Sequence, residues 1–152
     1  YQWGRGNDGH QCRNSLISTN LSSADQPGHG DFIKQNNITP NNDWRFPPNT
    51  NLWQGVNGVN NPCPLGYRLP TSSEMGNERL SWLSNNQLGA FNSPLKFTVA
   101  GRRSYVSGTL SQLGNYGYYW ISGSSGYLHI TPNSGFNNDV NQNGFSVRCI
   151  KD

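Results

Sequence analysis

The spacing of hydrophobic residues divides the chain into an irregular first part, one helix and a series of strands. Residues 1–5 predict a short strand, and from residue 15 to residue 61 large apolar residues stand singly among asparagine, glycine and proline. A disordered linker would lack such residues, so we expect them to anchor a long loop to the core. These anchors are Phe32, Ile33, Ile38, Trp44, Phe46, Leu52 and Trp53.

The clearest helix signal begins at Thr71. Glu74 follows three residues later, which is the spacing of a capping box. An asparagine pair at 85–86 and a glycine at 89 end the pattern, so we predict one helix of at most about three turns. Its apolar face would consist of Leu80, Trp82 and Leu83.

After residue 89 the patterns are those of short strands. Alternation predicts strands at 95–99 and 105–107, and aromatic and β-branched runs predict strands at 118–121 and 127–130 around a glycine–serine hairpin turn. The last predicted strand, 145–150, places Phe145, Val147 and Cys149 on one face and Arg148 on the other. One helix and several antiparallel strands indicate an α+β domain, and 152 residues fit a single domain.

Composition supports a folded chain with an aromatic core. Hydrophobic residues are only 32% and charged residues 12%, and the remainder is dominated by 22 Asn, 18 Gly and 17 Ser. The chain nevertheless has 5 Trp, 7 Tyr and 6 Phe and a net charge of only +3, which is not the composition of a disordered protein. We assign Trp82 and Trp120 to the core, whereas Trp44 and Trp53 are either core residues or a ligand platform.

Several functional classes are disfavoured. No apolar run reaches the roughly 18–20 residues of a membrane span, and we expect any export signal to lie upstream of this segment. The 11 basic residues are scattered, with Arg102–Arg103 as the only adjacent pair, so no nucleic-acid-binding stripe is indicated. Two Glu and three Lys are too few for long helices with paired charges.

The cysteines and histidines do not have the spacing of a structural zinc site. One disulfide and one free thiol are the simplest arrangement of Cys12, Cys63 and Cys149, and their residue spacing leaves the pairing open. His29 and Asp31 form either a metal-ligand pair or a solvated turn. Arg68 and Arg148 are expected to be structural, each pairing with a loop carbonyl or a carboxylate.

Four segments resemble one protein family. They read YQWGR at 1–5, NPCPLGYRLPT at 61–71 with Glu74, GYYW at 117–120 and GFSVRCIKD at 144–152. Together they are similar to the Fibrobacter succinogenes major paralogous domain, which occurs in bacterial surface and exported proteins. The resemblance covers nearly the whole chain.

This resemblance implies a C-type lectin-like fold of the formylglycine-generating-enzyme-like branch. It implies a single domain over residues 1–152, acting as the C-terminal module of a larger surface protein, extracellular on a bacterial cell or on a phage virion. It also favours a Cys63–Cys149 disulfide and leaves Cys12 either buried and reduced or bonded to a neighbouring domain. Some family members are variable proteins diversified by retroelements, with a variable window that corresponds here to residues 121–143.

The composition of this window suits a recognition surface. Tyrosine supplies rigid contact area, and Ser, Gly and Asn supply adaptable hydrogen bonds. The alternative is a solvated loop that binds nothing. We expect the side chains at 127, 129 and 136–139 to be exposed; for His129 a half-exposed position in the sheet is the other interpretation. The predicted ligand-binding residues are Tyr118, Ser122, Ser124, Ser125, Tyr127, His129, Asn133, Phe136, Asn137, Asn138, Asp139 and Asn141.

The expected function is therefore non-enzymatic adhesion or receptor binding. The partner would be a protein or glycan on a host or bacterial cell surface, without nucleic-acid binding or membrane insertion. A structural module of a surface assembly, without its own ligand, is the alternative. An enzyme related to formylglycine-generating oxidases is a more distant one, because no second cysteine lies near Cys149.

No cofactor is expected. The chain lacks the paired motifs with which C-type lectins bind calcium and sugar, and the late segment supplies a single carboxylate, Asp139. A calcium site formed by Asp139 with asparagine side chains and carbonyl groups is the remaining alternative.

Overall fold

A computed structural model describes residues 1–35, 43–123 and 126–152. Two short helices lie among short strands, which confirms the predicted mixture of helix and antiparallel strand. The elements are β1 (Ile17–Ser18), β2 (Phe32–Ile33), β3 (Tyr67–Arg68), α1 (Ser72–Leu80), α2 (Gln87–Asn92), β4 (Arg102–Arg103), β5 (Leu110–Ser111), β6 (Gly117–Trp120), β7 (Gly126–Ile130), β8 (Gly135–Asn138) and β9 (Ile150–Lys151).

The largest sheet contains β6, β7 and β8 in that order, with both pairs antiparallel. Tyr119 lies opposite Leu128, which in turn lies opposite Phe136. The predicted hairpin is therefore confirmed, although Ser124 and Ser125 in its turn lie outside the described residues. The other sheets each have two strands: β1 with β2 in parallel, and β3 with β9 and β4 with β5 antiparallel.

Strands β6 and β7 are largely buried on both faces, whereas the end of β8 is exposed. Because side chains alternate along a strand, Trp120 and Tyr127 pack on one face and Tyr119 and Leu128 on the other. The first hydrophobic cluster comprises Trp3, Ile33, Trp44, Leu52, Trp53, Leu69, Tyr118, Trp120, Tyr127 and Phe145. The second cluster comprises Met75, Trp82, Ala90, Phe97, Tyr119, Ile121, Leu128 and Ile130.

Helix α1 starts as predicted but buries a different face. The Thr71 side chain accepts a hydrogen bond from the Glu74 amide, and the Glu74 carboxylate accepts one from the Thr71 amide, which completes the capping box. Met75 is the buried helical residue, and Trp82 is buried just after the helix ends. The expectation for Leu80 and Leu83 is wrong, since they are 73% and 100% exposed.

Helix α2 was not predicted, because the asparagine pair at 85–86 was interpreted only as a stop signal. Asn86 instead caps a new helix: its side-chain oxygen accepts a hydrogen bond from the Gly89 amide at 3.1 Å. Gly89 is required here for close packing, because a Cβ atom at this position would lie 1.8 Å from the Ser84 carbonyl oxygen. The two residues that stop the first helix therefore start the second.

The predicted strands at 1–5, 95–99 and 105–107 are absent from the structure. Residues 105–107 form the turn between β4 and β5, and the Ser104 amide donates across it to the Thr109 carbonyl oxygen. In the last segment only Ile150 and Lys151 belong to a strand. The predicted alternation there is nevertheless correct, since Phe145 is buried, Val147 packs on the same cluster and Arg148 is exposed.

Three buried indole groups hold the first five residues. Trp120 donates to the Tyr1 carbonyl oxygen at 2.8 Å, Trp44 to that of Trp3 at 2.6 Å, and Trp53 to that of Arg5 at 3.2 Å. Trp44 and Trp53 are therefore core residues rather than a ligand platform. The anchored loop is confirmed for the described residues except Phe46, which is half exposed; Ile38 lies outside the described residues.

The Cys63–Cys149 disulfide is confirmed. It joins two residues 86 positions apart, which corresponds to about 4.6 kcal/mol in the chain-entropy model. Next to it, the Arg68 guanidinium pairs with the Glu74 and Asp152 carboxylates, as expected for a structural arginine. Cys12 is a free, exposed thiol, so the alternative of a buried, reduced thiol is wrong, whereas a bond to a neighbouring domain stays a prediction.

A buried polar cluster supports the first turn of the chain. The Arg5 guanidinium uses all five of its N–H groups, two of them on the Asp8 carboxylate. His10 lies between Asp8, which its Nδ1 contacts at 2.6 Å, and the Gln2 amide, which donates to its Nε2 at 3.0 Å. Burial lowers the pKa of His10 to about 4, although the Asp8 carboxylate acts in the opposite direction.

This arrangement predicts that the domain loses stability in mild acid. The unfolded state protonates His10 below its ordinary pKa of 6.5, whereas the folded state excludes that proton until about pH 4. The free energy of unfolding should therefore fall by about 3 kcal/mol between these two pH values. Urea denaturation at a series of pH values measures this loss.

The His10→Gln variant isolates the contribution of His10, because it removes the titrating group but keeps a donor and an acceptor. Its loss of stability between pH 6.5 and 4 should be smaller than that of the unmodified domain. The matched control His29→Gln changes an exposed histidine and should keep the full loss. Equal pH dependence in all three proteins would contradict the role assigned to His10.

Candidate functional site

The candidate site lies at the open edge of the three-stranded sheet. Strand β8 is the outermost strand, and its outer edge pairs with no other strand in the part of the chain that is described. Asn137 and Asn138 at its end are exposed, as is Asn133 in the preceding turn. The side-chain oxygen of Asn133 accepts a hydrogen bond from Asn85, which ties this turn to the segment between the two helices. The edge therefore presents side-chain amides on an ordered support.

A second group of side chains lies beside this edge. The ring of Tyr118 stacks on Phe145 at a centroid distance of 5.0 Å, and its hydroxyl donates to Gln112 at 2.6 Å. The Arg102 guanidinium lies 5.6 Å from the centre of the Tyr118 ring, and its nearest contact with the Asp139 carboxylate is 3.8 Å. Burial raises the pKa values of Tyr118 and Tyr127, so both phenols stay neutral at physiological pH.

The structure separates the predicted ligand-binding residues into four groups. Asn133, Asn137 and Asn138 are exposed. Ser122, His129, Phe136 and Asp139 are partly buried. Tyr118, Tyr127 and Asn141 are buried, and Ser124 and Ser125 lie outside the described residues.

The expected exposure of Tyr127 is wrong. Tyr127 lies opposite Trp120 in the sheet and its ring is 4.8 Å from that of Phe145, so only 7% of the residue is exposed. Tyr118 is 8% exposed for the same reason. Composition alone could not show this, because the same tyrosines suit either a binding loop or a core. Both rings contribute mainly to the rigidity of the site.

Asn141 is a buried structural residue rather than a surface one. Its side-chain amide donates to the Asp43 carboxylate at 2.8 Å, across 98 residues of sequence. Burial raises the pKa of Asp43, and the hydrogen bond from Asn141 partly offsets that effect. The predicted binding surface therefore ends before residue 141.

His129 is half-buried, in agreement with the interpretation as a sheet residue. It faces Tyr118 across the sheet, and a Cβ atom at Gly135 would lie 3.2 Å from its Nε2 atom. Burial, and then the positive charge of Arg79, lower the pKa of His129, so the imidazole is neutral at pH 7. It adds one neutral donor and one acceptor beside the amide edge.

Sequence reasoning missed Arg102 and Gln112 as parts of this site. In the sequence, Arg102 and Arg103 are an isolated basic pair that indicates no ligand. A bridge between Gly101 and Gly117 places Arg102 next to Tyr118, and this long-range pairing has no local signature in the sequence. Its guanidinium adds a positive charge next to the Asp139 carboxylate.

The described residues do not supply an assembled metal centre: no group of three His, Cys, Asp or Glu side chains comes together among them. Asp139 has the Arg102 cation as its nearest charged neighbour, which disfavours a further cation at this carboxylate. Within the same part of the chain, no helix has the length and apolar character needed to cross a bilayer.

Comparison with known proteins adds no constraint on the site. No protein-family model, curated protein or solved structure matches this chain. The arrangement itself supports non-covalent recognition, because amides, an imidazole and a guanidinium offer hydrogen bonds to hydroxyl, amide and carboxylate groups. The buried histidine, His10, is not part of this surface, since both of its ring nitrogens are engaged in the first turn of the chain.

Because Tyr127 is buried beneath the site and Asn138 is exposed on it, substitutions at these two positions should differ in their effect on the free energy of unfolding. Tyr127→Ala should lower the free energy of unfolding by about 3–5 kcal/mol, because it removes a buried ring from the first cluster. Asn138→Ala, at an exposed position, should change it by less than about 0.5 kcal/mol. Chemical denaturation of both variants measures the difference, and equal losses would contradict the assignment of Tyr127 to the core.

Proposed function

We propose that this domain is a non-enzymatic binding module that recognises a protein or glycan on a cell surface. The observation that carries the proposal is the amide-bearing edge of β8, which is exposed although the neighbouring strands β6 and β7 are largely buried on both faces. Such an edge offers many hydrogen bonds. Because the sheet that carries it is already ordered, binding avoids the free-energy cost of ordering it. Asn133, Asn137 and Asn138 would make the direct contacts, with His129, Asp139 and Ser122 beside them.

The family resemblance and the disulfide support an extracellular setting. The segments at 61–71 and 144–152, which carry much of the resemblance, are those joined by Cys63 and Cys149. Disulfides persist in oxidising compartments, which suits a surface protein of a bacterium or a phage virion. We propose on this basis that the domain has the C-type lectin-like fold of the Fibrobacter succinogenes major paralogous domain.

A structural module of a surface assembly is a second candidate. Four apolar side chains on and between the two helices are more than half exposed, and a partner packed on this side would remove them from water. They are Leu80, Leu83, Leu88 and Phe91. In that case the helical side would make the functional contact and the β8 edge would have no ligand.

A paired substitution separates the two candidates. We expect Asn137→Ala/Asn138→Ala to abolish or strongly weaken retention on a glycan and cell-surface-protein array, because it removes the exposed amides without disturbing the core. The control Asn14→Ala/Asn57→Ala removes two exposed asparagines elsewhere and should bind like the unmodified domain. Unchanged binding by the β8 variant, with an unchanged melting temperature, would contradict a binding role for this edge.

The structure also narrows where sequence variation is tolerated, if the window is diversified as the resemblance implies. Retroelement mutagenesis acts on adenines, so every asparagine codon in the window is a target. The asparagines at 133, 137 and 138 are exposed, whereas Asn141 and Asn143 are buried. Side chains of other sizes fit only at the exposed positions without leaving cavities or unpaired polar groups.

Deep sequencing of the gene in a growing source population tests this hypothesis. Among the folded, displayed proteins, substitutions should concentrate at residues 133, 137 and 138 and should be rare at 141 and 143. A gene without substitutions at any of these codons would rule out diversification and leave a domain with one fixed ligand. Equal variation at the buried and exposed asparagines would contradict the assignment of the surface.

A further inference from the structure

A separate cavity lies between the turn at residues 10–13, strand β4 and residues 144–147. Its volume is 270 Å³. Ligand pockets for drug-sized molecules begin at about 300 Å³, so this cavity suits one small group rather than an extended ligand. It lies outside the amide edge of β8 and shares none of the exposed asparagines described above.

The arginine side chains give the lining of this cavity a positive charge. Arg13, Arg102 and Arg103 line it, and the lining contains no aspartate or glutamate. A cleft lined by charges of one sign concentrates counter-ions, and the effect is strongest where the walls exclude water. The cavity therefore favours an anion.

Arg103 contributes a fixed positive charge that no carboxylate pairs with among the described residues. The residue is only 7% exposed. Its N–H groups donate instead to neutral acceptors, which are the carbonyl oxygens of Gly108, Cys12 and Ser15 and the Ser15 hydroxyl. These bonds and the Phe32 ring, 4.4 Å away, hold the guanidinium in place without neutralising its charge.

Arg102 is the guanidinium that remains available to a ligand. Its Nε atom is buried and has no hydrogen-bond partner. Its nearest carboxylate contact, with Asp139 at 3.8 Å, lies beyond hydrogen-bonding distance. The Arg102 side chain is nevertheless 32% exposed. An anion that reaches its exposed part could accept hydrogen bonds from the terminal NH₂ groups of the guanidinium.

We propose that this cavity binds a small organic anion, a carboxylate or sulfate group, with Arg102 as its main partner. Arg103 and Arg13 add the surrounding positive charge, and Phe32 and Phe145 provide apolar walls. An acidic sugar unit and an acidic side chain share this chemistry. Arg102 also contacts Tyr118 and Asp139 beside β8, but the exposed asparagines that carry the first proposal do not line the cavity, so either proposal can fail while the other stands.

Cys12 provides a reporter inside the same cavity. Its thiol is exposed and is the free one of the three cysteines, since the other two form the disulfide. Iodoacetate and iodoacetamide alkylate it by the same displacement: the thiolate sulfur bonds to the CH₂ carbon and iodide leaves. The two reagents differ in charge, so the ratio of their rates measures how strongly the cavity attracts an anion.

At low salt we expect the ratio of the iodoacetate rate to the iodoacetamide rate to be about tenfold higher for Cys12 than for a short, unstructured cysteine peptide. Most of this gain in the rate ratio should disappear at high salt. Arg102→Gln should reduce the gain by about threefold or more. The matched control Arg148→Gln changes an exposed arginine that does not line the cavity and should keep the full gain. Arg13→Gln provides a second test at an exposed position should Arg102→Gln melt at a lower temperature.

Protection experiments then identify the source of the anion. Glucuronate is compared with glucose, N-acetylglutamate amide with N-acetylglutamine amide, and inorganic sulfate with no addition, each as a competitor of Cys12 alkylation by iodoacetamide. Protection by glucuronate alone indicates an acidic sugar, and protection by the glutamate derivative alone indicates an acidic peptide. Protection by both indicates a general anion site.

Two results would overturn the proposal. The first is a rate ratio equal to that of the peptide, unaffected by salt or by Arg102→Gln. The second is that none of the three anions slows the alkylation of Cys12 more than its own control does. Neither result affects the array experiment on Asn137 and Asn138, so the two proposals are tested separately.

Discussion

Hydrogen bonds from buried side chains to irregular backbone are the constraint on which this fold depends. A domain with few long strands must still satisfy the peptide groups that its core removes from water, and an unpaired buried group costs about 1–3 kcal/mol. The tryptophans at 44, 53 and 120 do this for alternate carbonyl groups of the first five residues. Their rings simultaneously form much of the first hydrophobic cluster. Packing and backbone satisfaction therefore depend on the same three residues.

Gln2 has a similar role at the centre of the domain. Its side-chain amide donates to the carbonyl oxygens of Ile33 and Gln142, and its side-chain oxygen accepts from the Ile33 amide and from Arg5. One fully buried side chain thus joins the beginning, the loop region and the end of the chain. In a sheet-rich protein, neighbouring strands would provide these bonds.

The features that could be predicted from the sequence are those encoded locally. The capping box at Thr71 needs two residues three apart, and the β6–β7 hairpin needs two short runs around a turn. The buried cluster of Arg5 and His10 could not be predicted, because it depends on the return of distant loop segments. The exposure of Tyr127 was predicted wrongly for a related reason. The sequence pattern of a strand does not show that the distant Phe145 packs against the Tyr127 ring.

The same limits apply to the candidate site. The asparagines of β8 could be found because polar side chains in a late turn are exposed in most arrangements. Arg102 could not be found, since its position beside Tyr118 follows from a bridge between glycines 101 and 117. Because both faces of β6 and β7 are largely buried, the part of this sheet that is open to a partner is the edge strand with its flanking turns.

The hydrogen bonds that fix the first five residues also limit when the domain can fold during synthesis. Their partners include Trp120 and Phe145, so most of the chain must leave the ribosome before this segment is fixed. Long-range contacts of this kind slow folding and leave apolar surface uncovered in the interval. During that time Cys12 and Cys63 are both available while Cys149 has not yet emerged. A disulfide formed between Cys12 and Cys63 in that interval would be non-native, so oxidation that begins after Cys149 is available favours the native pair.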